Sequence, residues 1–571
     1  MLTKWLRPCG LLLAGLAAVF LTVAESRAAN DDVILSEQML PPETLFFLSV
    51  PDVPGLTESW DESAYGKLLA EPKLQPFLSD VKAKLAEGSE KLKAEIGVSL
   101  EDLKELLQGD FTIAVLEKPA RKISGVVMFD VGEETETLDK LIEKMDEALQ
   151  QQGADHSTQD IGDIEVHVYK LAGGDDNPIK TVAYFNEEGY FAIGTEVAAL
   201  KSIIDRWDGD SDETLAKQAT FAYIQKQCRS GEEEPVLKWY LNPIGAVQAG
   251  IGMVQGQNPQ AGLVLGMLPI LGLDHLKGFG GAVGAGDDNF DLVSKNFIYV
   301  DQPATGVLGV FNFPAVEQAP PAWVSETVAS YSGFNWSVDE AYSAVETIVD
   351  QFQGPGALSR VLDGLADDDS GPQIHPKKDV IDQLTGVIHL VTDAQKVDGD
   401  TPPIPSMVVA AGLKDGPAYA KTLAKLAKMD GFPGMVRDVN GTTVYDISTN
   451  DTKMSLGVSG NMLLIGTDEA KFNEAVRGKA SKPLSGSADY KAIAKHFPKK
   501  TSMIGFQRSE GQAKMLYETL RNRDNDEIEG IDLKKLPEWS VIAKYFQPSG
   551  SYAVPDKKGA LFVGFALPPA E

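Results

Sequence analysis

The sequence predicts an α+β protein made of two tandem related units, each a mostly antiparallel sheet with helices packed on one face. Three observations lead there. The first is internal repetition: Phe191-Ala192-Ile193-Gly194-Thr195-Glu196 returns as Leu463-Leu464-Ile465-Gly466-Thr467-Asp468. The second is the conserved order of further landmarks. Residues 109–113 align with 386–390, 124–127 with 406–409, Val168-Tyr169 with Val444-Tyr445, and Leu268-Pro269 with Leu536-Pro537. Leu215, Ala219, Phe221 and Ile224 align with Leu484, Ala488, Tyr490 and Ile493. The offset drifts from about 282 to about 268, as small loop deletions produce, with no change of order. The third is the alternation of hairpin signals with stretches of helical periodicity.

Taken in order, Leu45-Phe46-Phe47-Leu48-Ser49-Val50 is a strand-like run closed by Pro51. Helical stretches follow at 64–69 and 76–96. Residues 111–116 and 125–131 read as strands around a turn at Lys118-Pro119. Leu138, Leu141, Ile142, Met145 and Leu149 recur at helical spacing within 137–151. Three short strands come next, at 164–171, 180–185 and 190–194, the last two joined by the hairpin turn Asn186-Glu187-Glu188-Gly189. A helix over 197–207 sets Leu200, Ile203, Ile204 and Trp207 on one face. After a helical stretch at 221–228, residues 236–241 and 290–300 complete the strands of the first half. A strand running into a helix start recurs at 46–60, 238–250, 332–345 and 504–517, ending at Pro51, Pro243, Ser337 and Ser509. That recurrence suggests two related lobes within each half.

These elements divide the chain into a signal segment (1–28), repeat unit one (30–301), a linker (302–322) carrying Pro303, Pro314, Pro320 and Pro321, and repeat unit two (323–571). Lys4 and Arg7 precede the apolar run 11–24, and Ser26-Arg27-Ala28 places small residues where a signal peptidase reads. The expectation is a secretory signal cleaved after Ala28, and a periplasmic, extracellular or cell-surface protein. The alternative is an uncleaved membrane anchor, although the run falls short of the roughly 20 residues a bilayer span needs. Cys9 precedes the run, so it is not placed for lipid attachment.

Cleavage takes the formal net charge from −31 to −33 by removing Lys4, Arg7, Arg27 and Glu25. Such acidity argues against nucleic acid as a partner and against charge-driven docking on an anionic membrane. It suits an exported protein that must stay soluble. Only Cys228 would remain, so no intramolecular disulfide is available and the core alone must hold the fold.

Leu40-Pro41-Pro42-Glu43-Thr44 leads into the first strand and is followed by Gly66-Lys67-Leu68-Leu69, Pro72 and Pro76-Phe77-Leu78. With Phe297-Ile298-Tyr299-Val300 and Gly306-Val307-Leu308-Gly309-Val310, these landmarks resemble large exported bacterial proteins that carry domain of unknown function 3352. The resemblance covers most of the mature chain and implies export and fold; it brings no activity with it.

The search for chemistry assigns no catalytic, cofactor-binding or metal residues. His156, His167, His275, His375, His389 and His496 are scattered, without a His-Glu-x-x-His pair or close ligand spacing. Gly457-Val458-Ser459-Gly460 is one residue short of a nucleophile elbow and reads as the turn before a strand. Gly278-Phe279-Gly280-Gly281-Ala282-Val283-Gly284 lacks the spacing of a phosphate cradle and reads as a flexible or tightly packed backbone. Asp208-Gly209-Asp210-Ser211-Asp212-Glu213 alternates carboxylates like a calcium loop, but has Glu213 at position six and Ala219 at position twelve. Asp367-Asp368-Asp369 and Asp524-Asn525-Asp526 are similarly incomplete. All read as solvated acidic loops.

The halves differ most between Pro243 and Gly281, an apolar, glycine-rich segment in the first. The second half carries Arg508, Glu510, Lys514, Glu518, Arg521 and Arg523 in the corresponding stretch. The segment is expected to be a buried inter-lobe helix, or else a surface for a protein or lipid partner. Two function classes follow. The leading one is an exported non-catalytic binding or structural protein; the alternatives are a lipid or acyl-chain carrier, or an envelope hydrolase whose carboxylate pair sequence alone does not identify.

Overall fold

The structure is a computed structural model that describes residues 34–569, apart from 97–98, 119–121, 134, 173–178, 232–233, 255–259, 287–288, 369–370, 394–405, 430–431, 433, 450–451, 522–526 and 529. The expected signal segment, Asp369 and the Asp524-Asn525-Asp526 run therefore lie outside the described residues.

Helix and strand are mixed, and the strands pair antiparallel within two compact units. Unit one comprises the described residues up to Leu265 together with Lys277–Tyr299 and Arg521–Tyr545. Its strands are β1 (Thr44–Val50), β2 (Phe111–Lys118), β3 (Lys122–Asp130), β4 (Asp155–Ile161), β5 (Ile164–Lys170), β6 (Thr181–Glu187), β7 (Tyr190–Gly194), β8 (Leu237–Leu241), β9 (Leu276–Ala285) and β10 (Leu292–Val300). They lie in the order β4-β5-β6-β7-β3-β2-β1-β8-β9, with β10 beside β9. The turn between β6 and β7 is where the sequence places it. Glu188 (φ 50°) and Gly189 (φ 80°) both take left-handed backbone, the geometry whose twist matches a two-residue hairpin. A Cβ on Gly189 would meet the Gly132 carbonyl oxygen at 2.5 Å, so only glycine closes this turn.

Unit two comprises Gly266–Leu276, Val300–Leu520 and Phe546–Glu571. Its strands are β11 (Ser330–Asn335), β12 (Leu384–Asp393), β13 (Ser406–Leu413), β14 (Gly434–Val439), β15 (Thr442–Thr449), β16 (Thr452–Ser459), β17 (Met462–Gly466) and β18 (Met503–Arg508). A two-stranded ribbon, β19 (Glu527–Ile528) and β20 (Ile531–Asp532), lies in the stretch that belongs to unit one. Last come β21 (Pro548–Asp556) and β22 (Gly559–Ala566). The order in unit two is β14-β15-β16-β17-β13-β12-β11-β18-β21-β22.

Two stretches depart from a simple division into 30–301 and 323–571. Arg521–Tyr545 belongs to unit one because its apolar residues Leu533, Leu536, Trp539 and Ile542 are buried there. Polar contacts fix it: Lys535 Nζ lies 2.7 Å from Asp80 Oδ1, and the Tyr545 hydroxyl donates to Glu71 Oε2 at 2.9 Å. Gly266–Leu276 joins unit two, where Val307 N donates to the Leu271 carbonyl at 2.9 Å. The Pro-containing stretch 302–322 is likewise bonded into unit two. Val316 forms a bridge with Thr501, and Gln318 Nε2 donates to the Thr501 carbonyl at 2.7 Å.

The cores follow from strand alternation. In unit one, Phe47, Phe129, Tyr169, Phe185 and Ile224 are buried to 1% exposure or less. Tyr331, Phe472, Ile493 and Phe506 do the same for unit two. The helix Val53–Glu62 follows β1, where the sequence places a helix start after Pro51. Asp52 caps it by accepting from Gly55 N at 3.0 Å, and Pro54 sits in its first turn, where no amide is required. Truncating Ile224 or Ile493 to Ala, both fully buried, should each cost about 2–5 kcal/mol in a denaturant titration. An unchanged midpoint for either would show that the residue is not in the core.

Candidate functional site

Strand register assembles a buried polar cluster on unit one. Ser49 on β1 is paired with Thr112 on β2 and with Lys238 on β8, so three polar side chains stand abreast. The short helix Ser36–Met39 covers them. Ser36 Oγ lies 2.7 Å from Thr112 Oγ1 and donates to Ser49 Oγ at 3.4 Å, while Lys238 Nζ donates to Glu37 Oε1. Ser36, Glu37, Ser49, Asp110, Thr112 and Lys238 are all buried. A buried Lys or Glu is tolerated only when paired, and this pair meets that condition.

Asp110 closes the cluster. Thr112 Oγ1 donates to its Oδ2 at 3.3 Å, whereas Oδ1 and the buried Tyr190 hydroxyl beside it make no hydrogen bond. Burial pushes the Asp110 carboxyl up to about 7; the neighbouring Tyr190 and Thr112 hydroxyls favour its charged form and oppose the rise, and the Asp130 carboxylate adds to it. Burial, with Asp110 next to it, also keeps the Tyr190 hydroxyl protonated. Asp110 directly precedes β2 and Asp130 ends the neighbouring β3, the two joined by the bond from Asp130 N to the Asp110 carbonyl at 3.0 Å. The chain has 83 Asp and Glu residues, and nothing in their order along the sequence singles out this pair. An elevated carboxyl beside a second carboxylate has acid–base character, yet its bond runs inward to Thr112, which is itself bonded to Ser36, and that is the behaviour of a core clasp.

In unit two the corresponding row is Gly333 on β11 between His389 on β12 and Ile504 on β18. His389 Nδ1 lies 3.0 Å from the Tyr331 hydroxyl, and burial lowers the imidazole to about 4. The clasp of unit one is thus replaced by a neutral aromatic pair.

Other residues singled out in the sequence resolve into structural roles. Ser459 ends β16 and donates to the Val476 carbonyl at 2.7 Å, with Gly460 turning the chain at φ 57°. The glycine-rich stretch is β9, tightly packed: a Cβ on Gly280 would meet Ile224 Cγ2 at 2.7 Å. Cys228 is buried 3.9 Å from the Gly280 carbonyl, and burial pushes its thiol up to about 12, far from a reactive thiolate. In the acidic loop, Asp212 pairs with Lys217 at 2.8 Å. His275 Nδ1 lies 3.2 Å from the Asp301 carbonyl, and His375 Nε2 lies 3.1 Å from Asp363. Among the described residues no group of three or more His, Cys, Asp or Glu side chains is arranged to hold a metal ion.

Two of the histidines, distant in pattern, meet in the fold. His156 on β4 and His167 on β5 stack, with Nε2 and Nδ1 3.2 Å apart, over Tyr169 and Tyr184. The sequence hid this because β4, Asp155-His156-Ser157-Thr158-Gln159-Asp160-Ile161, is polar and exposed along all but its last residue and shows no apolar alternation.

The apolar segment forms two helices, Pro243–Val254 and Ala261–Ile270. No charged residue occurs between Lys238 and Asp274. The expected burial is met only on one side. Leu268 is 8% exposed, but Leu263 is 69% exposed, and Val264, Met267 and Ile270 stand out with it at the spacing of one helix face. Val247 and Met253 are exposed on the preceding helix. A helix apolar on all sides with one side uncovered is a surface rather than an inter-lobe core. No helix among the described residues is long and apolar enough to cross a membrane.

Compared with known families, curated proteins and solved structures, the chain matches none.

Replacing Asp110 with Asn tests the clasp through pH. The folded carboxyl holds its proton to about 7 against an ordinary value of 3.8, so the stability tied to that proton is complete below pH 3.8 and is lost as pH rises through about 7. Melting temperature against pH should therefore fall less steeply for Asp110→Asn than for wild type between those limits. Parallel profiles would show that Asp110 is not protonated in the fold.

Proposed function

We propose that the chain is an exported, non-catalytic binding or structural protein of the bacterial envelope, which engages an apolar protein or lipid partner through helices Pro243–Val254 and Ala261–Ile270. The carrying observation is the outward face of Leu263, Val264, Met267 and Ile270 within a stretch free of charge. An acidic chain with 24% charged residues that keeps one surface uncharged and apolar gains nothing for solubility there, and an interface accounts for it. The Lys4, Arg7 and apolar 11–24 pattern supports export. In this reading the two units arose by duplication of an antiparallel sheet covered by helices on one face. Support comes from the aligned landmarks and from strand orders that correspond one to one, β4 with β14 through β10 with β22.

An envelope hydrolase is the second reading, and Asp110 beside Asp130 is the observation that favours it.

Native mass spectrometry of protein purified from its own source tests the first reading. A retained lipid or protein partner is expected, and the double variant Leu263→Asp, Met267→Asp should weaken retention by about tenfold or more while the melting temperature holds. Leu268→Asp, on the buried side, should instead destabilise the fold. A bare monomer for wild type removes the apolar-partner reading. Edman sequencing of the same material should begin at Ala29; a start at Met1 would mean that the signal is retained.

A further inference from the structure

The stretch from Glu474 to Lys500 inverts the charge of the chain around it. It holds seven Lys and Arg residues against Glu474 and Asp489, a net of +5 in a chain of −31. Arg477, Lys479, Lys491, Lys495 and Lys500 are exposed, and among the described residues no carboxylate lies within ion-pair distance of them. Asp489 is already engaged by Arg508 at 2.8 Å. Single exposed cations without an ion pair occur elsewhere among the described residues, as at Lys425, but here they are concentrated in a stretch of net positive charge within an acidic chain, and that concentration suits an external anion.

Local structure builds these cations into a surface. The helix Glu469–Val476 ends on Gly478 at φ 73°, a left-handed residue that turns the chain outward. Glu474, Arg477, Lys479, Ala480 and Ser481 line a shallow open depression at that turn. The chain then bonds back along unit two, with Ala480 N donating to the Ala322 carbonyl and Leu484 N to the Val324 carbonyl, at 2.9 and 2.8 Å. The helix Ala488–Ala494 follows, its Tyr490 and Ile493 buried and Lys491 outward, one turn before Lys495.

Unit one carries a loop in the same place in its own strand–helix–loop–helix run, and the contrast is informative. After β7 and the helix Val197–Ile204, Gly209 turns the chain at φ 69°, and the helix Ala219–Cys228 follows. Where unit two has Arg477, Lys479 and Lys482, this loop has Asp208, Asp210 and Glu213. A loop that only needed to be soluble would serve with either sign. The backbone requirement is common to both, so the cations of unit two are not there for the turn.

We infer that the surface from Arg477 to Lys500 is a binding site for a polyanionic carbohydrate, a linear polymer carrying phosphate, sulfate or carboxylate groups. This goes beyond the apolar surface and does not depend on it. An arginine fork and several lysines suit such groups. Tyr490 is buried, and no aromatic side chain in this stretch is exposed as a platform for nucleobases. No large apolar residue in it is exposed for insertion into lipid. The overall negative charge acts on an approaching anion only over long range and is screened beyond about 8 Å at physiological ionic strength, so the cations in direct contact dominate.

The experiment measures binding of the full chain to a heparin-type sulfated polysaccharide, to duplex DNA and to anionic vesicles, each at about 50 and about 200 mM salt. Retention of an acidic protein on the polysaccharide at the lower salt, weakening at the higher, is the expected result. Arg477→Glu with Lys479→Glu should weaken it by about tenfold or more, and Lys491→Glu with Lys495→Glu should do likewise, with unchanged circular dichroism. Lys425→Glu, on another helix, should leave it unchanged. No retention at about 50 mM, or retention indifferent to both double variants, overturns the inference. So does tighter binding to DNA or to vesicles. Self-association that Asp210→Lys with Asp212→Lys abolishes would also overturn it, by assigning the cations to a second copy of the chain.

Discussion

Occupation of both edges of β1 is the constraint on which unit one depends. The strand forms early in the chain, yet its hydrogen-bonding groups are satisfied by β2 on one side and by β8, nearly two hundred residues later, on the other. Unpaired strand edges carry a penalty and invite foreign pairing, so the long connection between β2 and β8 must return to the same place. Once it does, register decides which side chains stand together. Ser49, Thr112 and Lys238 are brought abreast by pairing alone, and the Ser36–Met39 helix can settle over them only because Glu37 meets the lysine. Shifting β1 by one residue would turn Ser49 to the other face and away from Thr112 and Lys238, and put its neighbours in its place.

Charge is distributed with a similar logic. Where cations are buried or half-buried they have partners, as Lys238 does with Glu37 and Arg508 with Asp489. Several exposed cations pair with carboxylates too, as Lys201 does with Asp205 at 2.6 Å. Exposed pairs of that kind contribute little to stability. Their value lies in keeping the surface mixed and soluble, which makes both the charge-free helices and the basic stretch after Gly478 stand out as exceptions.

Much of the fold was legible because it rests on local chemistry. The helix Ala64–Leu69 and strand Tyr190–Gly194 coincide with the sequence reading, since apolar periodicity and turn residues mark their ends. The hairpin at Glu188-Gly189 was legible for the same reason. What was hidden depends on partners distant in sequence. β4 has no apolar face of its own, and its place is set by pairing with β5. Arg521–Tyr545 reads as part of the second half until Asp80 and Glu71 are seen to receive it. The polar clasp was illegible because Asp110 is one carboxylate among many until burial distinguishes it. Side chains of the apolar helices could be read as hydrophobic, but which of them face outward is a property of packing.

The late arrival of Arg521–Tyr545 in unit one has a kinetic meaning. Its Leu533, Leu536, Trp539 and Ile542 fill a place beside a helix that begins at Gln75, so that neighbourhood stays open to water until more than four hundred further residues have been delivered. A chain that emerges N-terminus first passes through a long interval with this apolar seat vacant. Contacts so far apart in sequence slow folding and lengthen exposure to aggregation, and the heavy negative charge keeps incomplete chains apart during that wait.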